Sequence, residues 1–138
     1  MKVHVLDANA LYRFLTGGPG ADTVNRLFKE ARDAEQPVLM SVINWGEVYY
    51  TIAKAEGFVE TTRIMDRVRL LPLAILDAGE TVTAQAAQLK AGYGLPYADC
   101  FAGATTARDG VLVTPDAKDF KKIPGLHVLP LPEHKKKN

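Results

Sequence analysis

Apolar residues along the chain form short unbroken runs, and longer amphipathic segments separate one run from the next. Because the runs do not alternate with polar residues, strands formed by them should be buried on both faces. Buried strands that alternate with helices are typical of a parallel sheet with helices on each side. The predicted strands are KVHVL (2–6), VLM (38–40), LAIL (73–76), VLV (111–113) and HVLPL (127–131).

The segments between these runs carry apolar residues at helical spacing. The clearest is the segment 21–36, whose apolar residues share one face of a predicted helix. Further helices are expected from start and stop signals such as capping side chains, glycine and proline. They comprise a short helix capped by Asn9, one from Ser41 to Gly57, one over 58–71, one over 77–94 capped by Asp77, one over 95–110 and a short one after Thr114.

The alternation predicts an α/β fold, a three-layer α/β/α arrangement around a mostly parallel sheet of about five short strands. Residues 1–131 are predicted to form a single domain, because a chain of 138 residues matches one domain of common size. The remaining residues, 132–138, are basic and are predicted to be a disordered tail.

Composition narrows the class of protein. The apolar fraction of 47% is enough for a core without disulfides. The single cysteine, Cys100, is interpreted as a small buried residue and fits a cytoplasmic location. No apolar run approaches the ~18 residues of a membrane span, and the N-terminus reads as a strand rather than a secretory signal. The net charge of +1 gives no sign of nucleic-acid binding, unless acids concentrated in one pocket leave the rest of the surface basic.

Three aspartates stand where predicted strands end or helices begin. Asp7 ends the first strand, Asp116 follows the strand at 111–113, and Asp99 lies in the first turn of a helix. Ligands of parallel α/β sheets bind beyond the carboxyl ends of the strands, so these acids are expected to converge there. Each also has an ordinary explanation as a helix cap, a turn residue or a partner of a helix dipole.

Glu47 is the weakest acidic candidate on pattern alone. It falls on the polar side of its helix together with Asn44, which predicts a solvent-exposed glutamate. The predicted apolar face of this helix consists of Val42, Trp45, Tyr49, Ile52 and Ala53.

Four segments of the chain, in this order, resemble the successive motifs of a PIN domain. The resemblance spans nearly the whole chain, from Lys2 to about Leu131, and is closest to the VapC toxins of toxin–antitoxin pairs. Each motif is short, and the order and spacing of all four make the resemblance specific. The segments are VLDANALYRFL (5–15), SVINWGEVYYTIAKAEG (41–57), GLPYADCFAGATTARDG (94–110) and VLVTPDAKDF (111–120).

This resemblance implies a cytoplasmic Mg²⁺- or Mn²⁺-dependent endoribonuclease, a hydrolase that cleaves RNA phosphodiesters as the toxin of such a pair. It also implies a small antitoxin whose C-terminal segment lies across the toxin, a homodimer, and no membrane. By motif, the implied catalytic and metal-ligating residues are Asp7, Glu47, Asp99 and Asp116. Thr114 matches a hydroxyl that supports these acids, and Asn9 stands at a position that is usually small and polar. Asp119 is the second choice for the fourth acid.

Elementary electrostatics favours a cation at such a cluster. Two carboxylates about 4 Å apart repel by roughly 4 kcal/mol at an effective dielectric near 20, so a shared pocket favours protons or a divalent ion. Mg²⁺ and Mn²⁺ prefer oxygen ligands, whereas the three histidines are scattered and show no zinc spacing. Basic residues close to the motifs are candidates for steering the RNA backbone: Arg13, Arg108, Lys118, Lys121 and Lys122.

Two alternatives compete with the nuclease hypothesis. Asp7 at a strand end suits the nucleophile of a phosphohydrolase, although such an enzyme normally carries a second acid where this chain has Asn9. A non-catalytic binding module would use the acids only as caps. Residues that could line either a partner surface or the core are Trp45, Tyr49, Tyr50, Phe58 and Ile64, with the core favoured for Trp45.

Overall fold

A five-stranded sheet forms the centre of the fold. The structure, a computed structural model, describes residues 2–133. The strand order is β3-β2-β1-β4-β5, and every neighbouring pair runs parallel, which confirms the predicted α/β class. The strands are β1 (His4–Leu6), β2 (Val38–Ser41), β3 (Leu73–Leu76), β4 (Val111–Thr114) and β5 (Val128–Pro130).

Helices connect the strands close to the predicted places, but three of the predicted boundaries are wrong. Asp7 rather than Asn9 caps the first helix, Gly79 rather than Asp77 precedes the fourth, and the fifth ends at Thr105, well before Gly110. The helices of the described residues are α1 (Ala8–Thr16), α2 (Ala21–Ala34), α3 (Val42–Val68), α4 (Glu80–Tyr93), α5 (Tyr97–Thr105) and α6 (Ala117–Phe120).

The long helix α3 is interrupted at Gly57. There φ is 82° and ψ is 168°, a conformation that glycine adopts without steric cost. The prediction of two successive helices that meet at this glycine is therefore confirmed. The predicted cap also forms, because the Ser41 hydroxyl oxygen accepts a hydrogen bond from the Ile43 backbone N–H at 3.2 Å.

Two apolar clusters cover the two faces of the sheet. Side chains alternate between faces along a strand, so Leu6 and Val113 pack with α1, α2 and α3, whereas Val5 and Leu112 pack with α4 and α5. The sheet therefore lies between two helical layers, as predicted. The face of α2 that was predicted to be apolar is buried at all four positions, Val24, Leu27, Phe28 and Ala31.

Two predictions concern the extent and environment of the chain. Of the predicted disordered tail, residues 134–138 lie outside the described residues, and the single-domain assignment stays a prediction. Among the helices that the structure describes, none combines the length and the apolar character that crossing a membrane requires.

Candidate active site

The first aspartate lies where the strand order reverses. β1 is central in the sheet and pairs with β2 on one side and β4 on the other, so the crevice beyond β1 and β4 is the switch point of the fold. Asp7 directly follows β1, and its backbone N–H donates to the Val113 carbonyl at 3.3 Å. The sheet thereby fixes Asp7 at the position where parallel α/β folds bind ligands.

Asp7 is a buried carboxyl group, only 2% exposed. Its Oδ1 accepts a hydrogen bond from the Ala10 backbone N–H at 2.8 Å, so the residue does cap α1. Burial is the main cause that raises the pKa of Asp7 to about 7, and the negative charges of Asp116 and Asp99 contribute to this rise. Hydrogen bonds from the Thr114 hydroxyl and from Ala10 oppose this rise in pKa. Capping and participation in an acidic cluster are thus compatible in one side chain.

Asp116 is held beside Asp7 by two hydrogen bonds. Its backbone N–H donates to the Thr114 hydroxyl oxygen at 2.9 Å, directly after β4. Its Oδ2 accepts a hydrogen bond from the Asn9 side-chain amide at 2.9 Å. Asn9 therefore joins α1 to the loop after β4, a role different from the helix cap predicted for it.

Asp99 reaches the same region from α5, where it lies in the first turn and is half-buried. Burial is the main cause that raises its pKa to about 6, followed by the charges of Glu47, Asp116 and Asp119. These effects on pKa place the carboxyl groups after β1, on α3 and after β4 within electrostatic range of Asp99 on α5.

Glu47 is half-buried rather than solvent-exposed, contrary to the expectation from its helix pattern. The Asn44 side-chain amide donates to Glu47 Oε1 at 3.0 Å. Asn44 itself is fully buried, so its assignment to a polar outer face was wrong. The helix pattern failed here because α5 packs over this side of α3. The spacing of three residues between Asn44 and Glu47 was the available signal for their contact.

Asp119, the alternative fourth acid, is exposed and lies within α6. It contributes to the raised pKa of Asp99 but not to that of Asp7. Asp116 contributes to the raised pKa of both Asp7 and Asp99. The smaller exposure of Asp116 and its effect on the pKa of both aspartates favour it over Asp119 as the fourth acid.

The acidic residues are close but do not form a closed ligand shell. Among residues 2–133, no three His, Cys, Asp or Glu side chains are grouped in a way that could hold a metal ion as they stand. The donor atoms nevertheless suit Mg²⁺, which binds one or two carboxylates directly and keeps several waters. Desolvated neighbouring carboxyl groups with raised pKa values are also the groups that a divalent cation would stabilise as carboxylates.

Clefts open on both sides of Asp116. One, of about 390 Å³, is lined by Asn9, Tyr12, Arg13 and Pro115 among others, and a smaller one of about 220 Å³ extends toward Lys118 and Asp119. Asp116 lines both clefts.

The basic residues predicted to steer RNA differ in their surroundings. Arg13 donates to the carbonyl oxygens of Pro19 and Pro132, which ties the end of the described chain to α1. Lys118 forms an exposed ion pair with Glu133 at 3.5 Å. The other three, Arg108, Lys121 and Lys122, are exposed.

The residues that were left open between core and partner surface also separate. Trp45, Tyr49 and Ile64 pack against the core, which agrees with the interpretation of Trp45. Tyr50 and Phe58 are exposed by 55% and 74%. Cys100 is fully buried, as interpreted.

Together, the parallel sheet and the acids at its switch point define an α/β protein with a polar, carboxylate-rich site. Residues 4–126 match the family model of the PIN domain. The chain therefore belongs to the PIN-domain family, and the resemblance seen in its motifs is confirmed. No match was found among curated protein sequences.

Solved structures with the same fold include a toxin–antitoxin complex and two DNA-bound VapBC assemblies. DNA-bound VapBC2 from Rickettsia felis matches with a TM-score of 0.75 and 21% identity over 93% of this chain and 98% of that one. DNA-bound VapBC from Salmonella typhimurium matches with a TM-score of 0.75 and 20% identity, covering 94% and 98%. A toxin–antitoxin complex from Klebsiella pneumoniae matches with a TM-score of 0.61 and 25% identity, covering 91% and 95%.

Proposed function

We propose that the protein is a divalent-metal-dependent endoribonuclease and the toxin of a toxin–antitoxin pair. The observation that carries this proposal is the convergence of Asp7, Asp99 and Asp116 on the switch point of a PIN-domain sheet. PIN domains of toxins are nucleases as a class, and the matched solved structures include a toxin–antitoxin complex and two VapBC assemblies. We infer that the protein acts as a small toxin in the cytoplasm.

Asp7, Asp99 and Asp116 would hold Mg²⁺ or Mn²⁺, with Glu47 acting partly through water. When bound, the ion lowers the pKa of a coordinated water and neutralises charge on the scissile phosphate. Cation binding requires Asp7 and Asp99 to be ionised, and their raised pKa values make binding weaker at low pH.

The protein side chains supply orientation. The hydrogen bonds from Ala10 and Thr114 restrict the Asp7 carboxylate, and Asn9 restricts that of Asp116. Glu47, whose charge also acts on Asp99, is suited to orient the attacking water or to accept its proton. The exposed lysines that follow Asp116, namely Lys118, Lys121 and Lys122, would attract the RNA backbone, since phosphate binding is driven by cationic side chains. Arg108 precedes β4 and therefore lies toward the opposite end of the sheet.

An antitoxin and a second copy of the toxin are the proposed protein partners. The exposed aromatic residues Tyr50 and Phe58 are suited to a partner surface, because aromatic side chains are enriched in the buried parts of interfaces. The solved structures that share this fold support the antitoxin, since their toxins are bound to partners.

The two alternatives are less well supported. A phosphohydrolase with Asp7 as nucleophile normally carries its general acid two residues further along the chain, but Asn9 occupies that position and binds Asp116. A non-catalytic module would not need two desolvated aspartates with raised pKa values at one sheet edge, because such burial is destabilising.

Incubation of the purified full chain with total RNA tests the proposed activity. Cleavage should require added Mg²⁺ or Mn²⁺, stop with a chelator, and return when metal is restored. Mapping of the cut ends identifies the RNA. Absence of cleavage together with turnover of phosphate monoesters would favour the phosphohydrolase, and absence of both would favour the binding module.

A further inference from the structure

Asn44 forms a buried bridge between α3 and α5. Its side chain is 0% exposed, and its Nδ2 group donates to Glu47 Oε1 and to the Ala98 backbone oxygen, each at 3.0 Å. Ala98 directly precedes Asp99 in the chain. One carboxamide therefore contacts the Glu47 carboxylate and the backbone beside a second acid of the candidate site.

The surroundings determine the orientation of the Asn44 amide. The reverse orientation would place its carbonyl oxygen against two acceptor oxygens, whereas the observed one directs the donor group to both. This choice leaves Asn44 Oδ1 buried, and within residues 2–133 it is the one buried side-chain oxygen or nitrogen without a hydrogen-bond partner.

An unpaired buried oxygen destabilises the folded state. The same face of α3 is otherwise filled by Val48 and Ile52, which are buried at 1% and 3% exposure without such a penalty. The amide therefore serves a purpose that packing alone does not explain.

We propose that Asn44 is a positioning residue that holds the Glu47 carboxylate against the acidic site. This inference rests on the proposed function, because it assigns Glu47 a role there. Glu47 is half-buried on a helix face that its sequence pattern would expose to solvent. The hydrogen bond from Asn44 is the contact that keeps its carboxylate near Asp99.

Binding of Mn²⁺ to the full-length Asn44→Leu variant, measured by calorimetry, tests the role of the amide. We expect an affinity about tenfold lower than in the wild-type protein, the size of effect seen when a side chain that orients a metal ligand is removed. The thermal midpoint should change little, since the variant loses two hydrogen bonds together with the unpaired oxygen. Unchanged Mn²⁺ affinity would overturn the proposal.

Thr61→Val is the matched control. Thr61 is also fully buried on α3, beyond the Gly57 break, and its hydroxyl donates to the Gly57 carbonyl oxygen at 2.7 Å. The variant should be less stable but should bind Mn²⁺ normally. Weaker binding in this variant would show that loss of any buried hydrogen bond in α3 has the same effect, which would also overturn the proposal.

A double-mutant cycle separates positioning from a general structural role. In the Glu47→Ala background, Asn44→Leu should lower Mn²⁺ affinity by less than about twofold, because Asn44 acts through Glu47. Independent, multiplicative losses would mean that Asn44 acts elsewhere.

A metal-free measurement keeps the inference distinct from the proposed function. The Asn44 side-chain amide protons, observed by NMR, should exchange slowly with solvent, shift in Glu47→Ala, and stay nearly in place in Glu47→Gln, whose amide oxygen still accepts the hydrogen bond. Signals that are the same in all three proteins would refute the bridge. A wild-type protein without Mn²⁺ binding would refute the proposed function, and the NMR signals would then decide the bridge alone.

Discussion

The two ends of the sheet carry clefts of comparable size and different chemistry. At the amino end, a cleft of about 480 Å³ is lined by residues that precede the strands, such as Lys2, Gly110 and His127. At the carboxyl end, the clefts beside Asp116 measure about 390 and 220 Å³. The largest of these cavities therefore lies at the end opposite the candidate active site.

Charge burial distinguishes the two ends more clearly than volume does. Lys2, Asp109 and His127 at the amino end are exposed, so the charges of Lys2 and Asp109 are well solvated. At the carboxyl end, Asp7 is almost completely buried, and its pKa and that of Asp99 are raised. Buried titratable groups in mutual contact are typical of functional sites, whereas an open cleft with solvated charges is not.

The largest expected effect of a single substitution is on RNA cleavage by Asp7→Asn. The amide oxygen can still cap α1, but the negative charge is lost, and cleavage should fall by about a thousandfold. Asp109→Asn, at the amino end, is the matched control and should cleave normally. Equal losses in the two variants, measured as single-turnover rates on one RNA, would remove the distinction between the ends.

A second prediction concerns stability in the absence of metal. Folding raises the pKa of Asp7 from 3.8 to about 7 and that of Asp99 to about 6, so the folded state binds more protons than the unfolded chain in this interval. The free energy of unfolding should therefore be highest below about pH 4 with respect to these groups, and it should fall as pH rises to about 7.

Urea unfolding in the presence of a chelator measures this dependence. For Asp7 alone, the loss of stability between about pH 4 and about pH 8 should be on the order of 2 to 4 kcal/mol. Asp7→Asn should show a flatter profile and exceed the wild-type stability above neutral pH. A profile as steep as that of the wild-type protein would place the proton uptake elsewhere.

The smallest of the three effects distinguishes Asp116 from Asp119 within the carboxyl end. Asp116 is held by a hydrogen bond from Asn9, and its charge raises the pKa of both Asp7 and Asp99. Asp119 is exposed, and its charge raises only the pKa of Asp99. Asp116→Asn should therefore reduce cleavage about tenfold more than Asp119→Asn. The reverse order, measured under identical conditions, would assign the fourth acidic role to Asp119.

Much of the fold could be predicted from the sequence. The strands are short runs of unbroken apolar residues, and burial on both faces leaves few other interpretations for them. Asp7 and Asp116 could be placed at the same end of the sheet because they follow two parallel strands, whose carboxyl ends lie together.

The parts that escaped prediction depend on contacts between distant segments. The Asn9–Asp116 hydrogen bond joins residues 107 positions apart, and no local pattern reports it. The helix pattern of α3 treats polar residues as solvent-facing, but α5 covers Asn44 and leaves Glu47 half-buried. The cap of α1 was predicted wrongly because Asn9 and Asp7 are both good helix caps, and only the position where β1 ends decides between them.

Anomalous diffraction from crystals soaked in Mn²⁺ tests the central claim most directly. The account predicts a manganese peak beyond β1 and β4, within coordination distance of Asp7, Asp99 or Asp116, and no comparable peak in the cleft beside Lys2 and His127. A manganese peak only at the amino end, or none at the carboxyl end at millimolar Mn²⁺ and a pH above the pKa of Asp7, would contradict it.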